Sequence, residues 1–327
     1  MVIEIDDEAI SHLGETSLMR QHQQLKSNLL LLLAALIWGF AFVAQRQGME
    51  HTGPFTFNAV RFVLGALSLV PLIWVMDRQS GQSREQIRTS FRSASVYGLC
   101  TGIILFAGAS LQQIGLLYTT AGKAAFVTGL YIVIVPFFGL FLKQRLGLNS
   151  GIGAVLAVIG LYLLCITNDL KLGKGDLYEL AGALFWSVHI LMIDRFSRKT
   201  DVLKLSLVQI ITCSLLSFIV AVSTEQIELS GLSDAIIPLL YGGICSVGIA
   251  YTLQIVGQKN ARPAQAAIIL SLETVFAAIG GYLLLDERLG VRAGLGCLFM
   301  LIGMIVPQLP QLKRDVMVTS GRKKKSA

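Results

Sequence analysis

The chain has 327 residues, 54% of them hydrophobic and only 14% charged, with a mean hydropathy of +0.67 and a formal charge of +7. A soluble domain of this length is far more polar, so the composition excludes a water-borne enzyme or nucleic-acid-binding module as the body of the chain. The charge needs another explanation.

In chain order, an acidic segment at Glu4 to Glu8 and a polar stretch to Lys26 come first, unlike the short basic leader of a cleaved signal peptide. Apolar runs then follow at about Asn28 to Gln45, Phe55 to Met76, Ser95 to Leu117, Ala124 to Leu142 and Leu148 to Thr167. Five more lie at about Leu177 to Ile193, Leu203 to Val222, Ala235 to Val256, Ala264 to Leu285 and Val291 to Pro310. A bilayer core of about 30 Å needs roughly 20 apolar helical residues per crossing. The runs are apolar on nearly every face, where strands of a membrane barrel would alternate with period two. The expected fold is therefore an all-α integral membrane protein with ten transmembrane helices. Residues 1–27 and 311–327 form the tails.

With the N-terminus inside, the outer loops hold only Arg46, Lys123, Lys171, Lys174, Arg288 and Arg292, and Arg61 falls within a span. Every other Lys and Arg lies on an inner segment, so the positive-inside rule puts both termini in the cytoplasm. The net charge is a topology signal. It implies no nucleic-acid partner, and the basic tail Arg322 to Lys325 reads as a solvated terminus or a contact with anionic lipid. Cys100, Cys165, Cys213, Cys245 and Cys297 are scattered through the spans and read as packing residues, and no Cys/His spacing suggests a metal site or other cofactor.

The second half repeats the first. Aligning Trp38 with Trp186 also pairs Ala35 with Ala183 and Leu36 with Leu184; further on, Gln112 pairs with Gln254, Gly115 with Gly257 and Leu130 with Leu272. After a one-residue insertion Arg145 pairs with Arg288, Gly151 with Gly294, Gly153 with Gly296 and Gly160 with Gly303. Matched Gln, Arg and Gly in order are not chance apolar similarity, and such repeats define architecture. Five spans per half make the repeats inverted, residues 28–167 and 177–310. Inverted repeats are the architecture of secondary transporters, which bind substrate near the midplane and expose it alternately to either side. No phosphate-cradling glycine loop is present to drive it with ATP.

Three stretches carry a family resemblance: LIWGFAFVAQRQGMEHTGPFTFNAVRF at Leu36 to Phe62, GKAAFVTGLYIVIVP at Gly122 to Pro136, and LSLETVFAAIGGYLLLDERLG at Leu270 to Gly290. In these the chain resembles the EamA family of the drug/metabolite transporter superfamily, over about Asn28 to Pro310. The resemblance implies two five-helix EamA repeats, with a central cavity lined chiefly by helices 1 to 4 and 6 to 9 and with helices 5 and 10 outside as support. It also implies transport of amino acids, other metabolites or toxic compounds. One departure is Lys143-Gln144-Arg145, where the family commonly carries an acid before the Arg, as Glu287 does in the second copy.

Polar groups inside the membrane cost several kcal/mol unless paired or wetted, which makes them the candidate site. Glu273, halfway along the ninth run, suits a cavity wall that binds an ammonium group or carries a proton; a capped packing glutamate is the alternative. His189 follows Trp186 by one turn and is a candidate for proton coupling or a structural hydrogen bond. Arg61 can attract an anionic group or pair with a helix end. The repeat-related pairs Gln112 with Gln254 and Trp38 with Trp186 can face the cavity as amide and indole ligands or hold helices together, with Tyr131, Tyr251 and Asn58 as weaker members. Pro136 removes a backbone bond inside the fourth run and predicts a kink there, absent from the second copy, which makes helix 4 the candidate gate. The glycines of the fifth and tenth runs predict close helix packing, within or between subunits, which leaves a homodimer open.

The expected function is a secondary, non-ATP transporter of small metabolites in the inner (plasma) membrane, an exporter of amino acids or related compounds. A membrane scaffold or sensor is the alternative. No nucleophile and base stand at a spacing that suggests an enzyme.

Overall fold

The computed structural model describes residues 7–119, 121–141, 147–165, 173–284 and 290–306, and among these the chain is helical throughout, with no strand. The turns at Lys143-Gln144-Arg145 and Glu287-Arg288, most of the acidic start and the basic tail lie outside the described residues. The first helix, α1 (Asp7–Gly48), begins well before Asn28, because the MRQHQQLK stretch ahead of the apolar run is made largely of good helix formers. Gly53 and Pro54 open α2 (Pro54–Gln79); proline is at home in a first turn, where its missing N–H had no partner to lose. The Glu225 carboxylate accepts from the free N–H groups of Phe55 and Thr56, both at 2.8 Å, and so satisfies donors that a helix start leaves open. A reciprocal Ser83 and Gln86 capping box starts α3 (Arg84–Leu116).

Next come α4 (Ala121–Gly129), α5 (Tyr131–Phe141) and α6 (Leu148–Cys165). The second half holds α7 (Lys174–Phe196), α8 (Val202–Thr224), the short α9 (Leu229–Asp234) and α10 (Ile236–Leu240), and a π-helical stretch at Tyr241–Ala250. It finishes with α11 (Tyr251–Gln258), α12 (Pro263–Leu270), α13 (Glu273–Leu284) and α14 (Val291–Ile305). Joined across their short interruptions, these give, among the described residues, eight helices long and apolar enough to cross a membrane, while Leu148–Gly160 and Gly294–Gly303 are shorter apolar helices. The latter two lie within the fifth and tenth expected runs. Large apolar side chains such as Leu67, Ile103 and Phe218 are exposed on the outer faces of these helices, as a lipid-facing surface requires.

The fourth expected span is interrupted, but not at Pro136. The break falls at Leu130, between α4 and α5, and its repeat mate Leu272 marks the break between α12 and α13. At both, the helix tightens to the same three-residue bond: Leu130 N–H donates to the Val127 carbonyl and Leu272 N–H to that of Ile269, each at 3.2 Å. Pro136 sits inside α5, and the interruption at Leu130 is shared by both repeats. A close approach explains why the second break can be buried: a Cβ on Gly39 of α1 would lie 2.7 Å from the Glu273 carbonyl oxygen.

The two repeats run in opposite directions. Asn28 and Asp176 are equivalent in the register that aligns Trp38 with Trp186, yet Asp176 hydrogen bonds to Thr119, beside the Gly48 end of α1. Asn28 lies 20 residues back along α1, about 30 Å away. α6 packs against α14, and here the glycine reading holds in part. A Cβ on Gly160 would come 2.6 Å from the Gly296 carbonyl oxygen, and one on Gly303 would come 2.7 Å from that of Gly153. Gly151 and Gly294 face open space and take no part.

Candidate functional site

A cavity opens where the repeats meet. From the first repeat, Trp38, Phe42 and Gln45 of α1, Arg61 of α2 and Gln112 of α3 line it, with Thr128 and Tyr131 on either side of the α4–α5 break. From the second come Trp186 and Ile190 of α7, Ser246 of the π-helical stretch, Tyr251 and Gln254 of α11, and Leu270 and Glu273 on either side of the α12–α13 break. Among the described residues, α6, α8 and α14 contribute nothing to this lining. Helices 5 and 10 thus contribute no lining, as expected, whereas helix 7, expected to line the cavity, contributes none either.

At the centre, Tyr131 Oη donates to Glu273 Oε1 at 3.0 Å. Each is the first residue of the helix that resumes after a break. The break is what lets Glu273, buried in the interior, end in the cavity rather than in a helix–helix seam. Trp186 Nε1 donates to Gln112 Oε1 at 3.1 Å, and Gln112 Nε2 donates to Gln45 Oε1 at 3.4 Å. Trp38 Nε1 donates to the Ser246 carbonyl at 3.2 Å. Tyr251 lies between the two indoles, edge-on to Trp38 at 4.9 Å and stacked on Trp186 at 6.3 Å. The amide pair has diverged: Gln112 is bonded on both sides, while Gln254 Oε1 has no partner among the described residues.

Arg61 is buried, and among the described residues it makes no hydrogen bond to a helix end. Instead Arg61 Nε donates to Asn58 Oδ1 at 2.9 Å, and Asn58 Nδ2 in turn donates to the Ala109 carbonyl. The guanidinium carbon lies 5.0 Å and 5.7 Å from the Phe62 and Phe57 ring centres. Among the described residues no carboxylate forms an ion pair with it. Its remaining N–H groups are set for an anionic oxygen.

His189 does not reach the cavity. It is fully buried and its Nε2 shares a hydrogen bond of 3.0 Å with Gln209 of α8. Four residues after Trp186, Ile190 takes the lining position; three residues after it, His189 is turned towards α8. No three His, Cys, Asp or Glu side chains come together as a metal site among the described residues. The sequence reading missed Gln45, Thr128 and Ser246, and it missed a second buried carboxylate beside the cavity, Glu179, which accepts from Thr128 Oγ1 at 2.9 Å. A signal for Glu179 existed: the register that aligns the tryptophans sets it against Leu31, so an acid stands where the other repeat needs only an apolar side chain.

The model of the EamA-like transporter family matches residues 25–166 and again 173–306. An uncharacterized transporter of Archaeoglobus fulgidus is 31% identical over 288 residues, covering 88% of this chain and 87% of that one. The uncharacterized transporter YoaV of Bacillus subtilis is 20% identical over 293 residues, covering 88% and 98%. A solved crystal structure shares the fold, with a TM-score of 0.70 at 18% identity over 86% of this chain and 96% of that one.

Proposed function

We propose, from the premise that the chain belongs to the EamA-like transporter family, that it is a secondary transporter exporting amino acids or closely related zwitterions by alternating access. The observation that carries the reading is the presence in one cavity of a carboxylate, Glu273, and a guanidinium, Arg61, that has no acidic partner among the described residues. A zwitterion complements both. Its carboxylate suits the fork of Arg61, its ammonium suits Glu273, and the Trp38, Tyr251 and Trp186 rings offer faces to the side chain.

Alternating access follows from the matched breaks at Leu130 and Leu272. A segment that already lacks part of its helical bonding can bend there at little cost, and inverted repeats let either half bend while the other stays straight. On this reading the gate is the pair of breaks, with Pro136 inside α5, beyond the first of them. Ten crossings, cytoplasmic termini and an inner-membrane site complete the proposal, which puts the Asn28 end of the bundle inside and the Asp176 end outside.

Purified protein in lipid vesicles, loaded with a panel of amino acids, sugars and organic cations, tests it. Efflux of amino acids faster than from protein-free vesicles, with loss of that efflux in both Glu273→Gln and Arg61→Met, is the expected result. No accelerated efflux of any solute would favour a scaffold or sensor role.

A further inference from the structure

The two ends of the bundle share one frame and fill it with different chemistry. In the register that pairs Trp38 with Trp186 and Gln112 with Gln254, Asn28 matches Asp176, Leu31 matches Glu179, Lys123 matches Gln265 and Thr128 matches Leu270. The contacts obey that register. At one end Lys123 Nζ pairs with Asp176 Oδ2 at 2.6 Å; at the other Gln265 Nε2 donates to Asn28 Oδ1 at 3.1 Å. A Cβ on Gly115 would lie 2.5 Å from Glu179 Oε1, and one on its mate Gly257 would lie 2.9 Å from Leu31 Cγ. Thr128 hydrogen bonds Glu179, while Leu270 and Leu31 belong to one apolar cluster.

One side of the cavity is thus a polar column and the other an apolar plug. The frame accepts leucine at the position of Glu179, so packing gives no reason for an acid there. Burying it has a cost: Glu179 is 0% exposed and its Oε1 has no hydrogen-bond partner among the described residues. One turn before it on α7, Asp176 meets Lys123 and Thr119, which line an open recess at the end of the bundle. On its other side Thr128 lines the central cavity with Tyr131 and Glu273.

Resting on the reading of the chain as a transporter, we infer that Glu179 is a proton-binding site that links Glu273 to the face carrying Lys123 and Asp176, and to that face alone. The Thr128 hydroxyl donates to Glu179 when the carboxylate is charged and turns to accept from it when it is protonated. A proton passing inwards leaves Glu179 Oε2 for Thr128 Oγ1 as that oxygen releases its own proton to cavity water, which protonates the Glu273 carboxylate. Glu179 loses one proton, Glu273 gains one, and no electrons move.

The charged and titratable neighbours are few. α7 itself brings Asp176, with Lys174 and Tyr178 on the exposed side; α4 brings Lys123, α5 Tyr131, α13 Glu273 and α11 Tyr251, and α2 brings Arg61 to the same cavity. Arg46 of α1 holds the Thr119 carbonyl nearby. α3 faces Glu179 with Gly115, and α12 contains no titratable residue.

Dicyclohexylcarbodiimide, which reacts with protonated carboxyls in membranes, reads the proton occupancy of Glu273 without any transported solute. The full chain is placed in oriented vesicles, the pH is changed on one side only, and modified Glu273 is counted by peptide mass spectrometry. In the wild type, labelling should follow the pH on the Asp176 side and ignore the other. In Glu179→Gln and in Thr128→Val, two near-isosteric changes at separate points of the column, the response should slow by about a hundredfold or more, a typical loss when a positioned proton carrier is removed. Glu179→Asp should restore part of it. Labelling that follows the opposite face, follows neither face, or follows the Asp176 side equally fast in both variants overturns the inference. Because nothing need be transported, these outcomes are separate from a failure of the vesicle efflux assay.

Discussion

Tyr131 and Glu273 are the same position in the two repeats, and they hydrogen bond to each other at 3.0 Å across the middle of the molecule. Residues related by a two-fold axis meet only if they lie close to that axis, so this bond marks the centre about which the halves are arranged. Tyr131→Phe removes the donor and leaves a buried carboxyl one partner short, a loss of about 1–3 kcal/mol. The expected outcome is a lower melting temperature in detergent and reduced amino-acid efflux, with Glu273→Gln more damaging to efflux than to melting. Equal melting temperatures for Tyr131→Phe and wild type would remove the bond from the account.

The two repeat-related glutamines should respond unequally. Gln112 accepts from Trp186 and donates to Gln45, whereas Gln254 Oε1 has no partner among the described residues. Gln112→Leu is expected to cost about 1 kcal/mol more stability than Gln254→Leu, roughly one net hydrogen bond. Chemical denaturation of the two variants side by side measures the difference, and a reversed order would count against the divergence seen in the cavity.

His189 should behave as a structural residue. Its truncation to Ala would empty a fully buried volume and strand Gln209, so a destabilisation of about 2–4 kcal/mol is expected. Efflux per folded molecule should keep its dependence on pH. Loss of that dependence with normal melting would restore the coupling role suggested by its place in the sequence.

Four glycines with similar sequence surroundings should split into two classes. Gly160→Val and Gly303→Val force a side chain against a carbonyl of the facing helix, and each is expected to cost about 1–3 kcal/mol through overpacking. Gly151→Ala and Gly294→Ala face open space and should stay within about 0.5 kcal/mol of wild type. Thermal unfolding of all four variants in one detergent distinguishes the classes.

Much of this molecule was legible in its residues, because crossings and repeats are written in composition and order. The paired Gln and Trp, Arg61, Tyr131 and Glu273 all line the cavity, as residues too costly to bury elsewhere in a membrane should. Three things were not legible. His189 shares a broad helical face with Trp186, and sequence spacing cannot say which edge of that face meets the cavity. The break at Leu272 has neither proline nor glycine at its centre; it depends on Gly39 of another helix making room. Glu179 follows the polar turn at Gly173 to Asp176 and reads as the edge of a span, although tertiary packing buries it completely.

The crossing of α6 and α14 has a further consequence. Gly160 meets the Gly296 carbonyl and Gly303 meets that of Gly153, the same contact given and received, as at the face of a symmetric dimer. In a dimer of identical chains, however, every substitution is made twice, once on each side of the axis. Here each side is encoded separately. A leucine can be kept at one end while its twin becomes a glutamate, so a body built by symmetry can acquire two unlike ends.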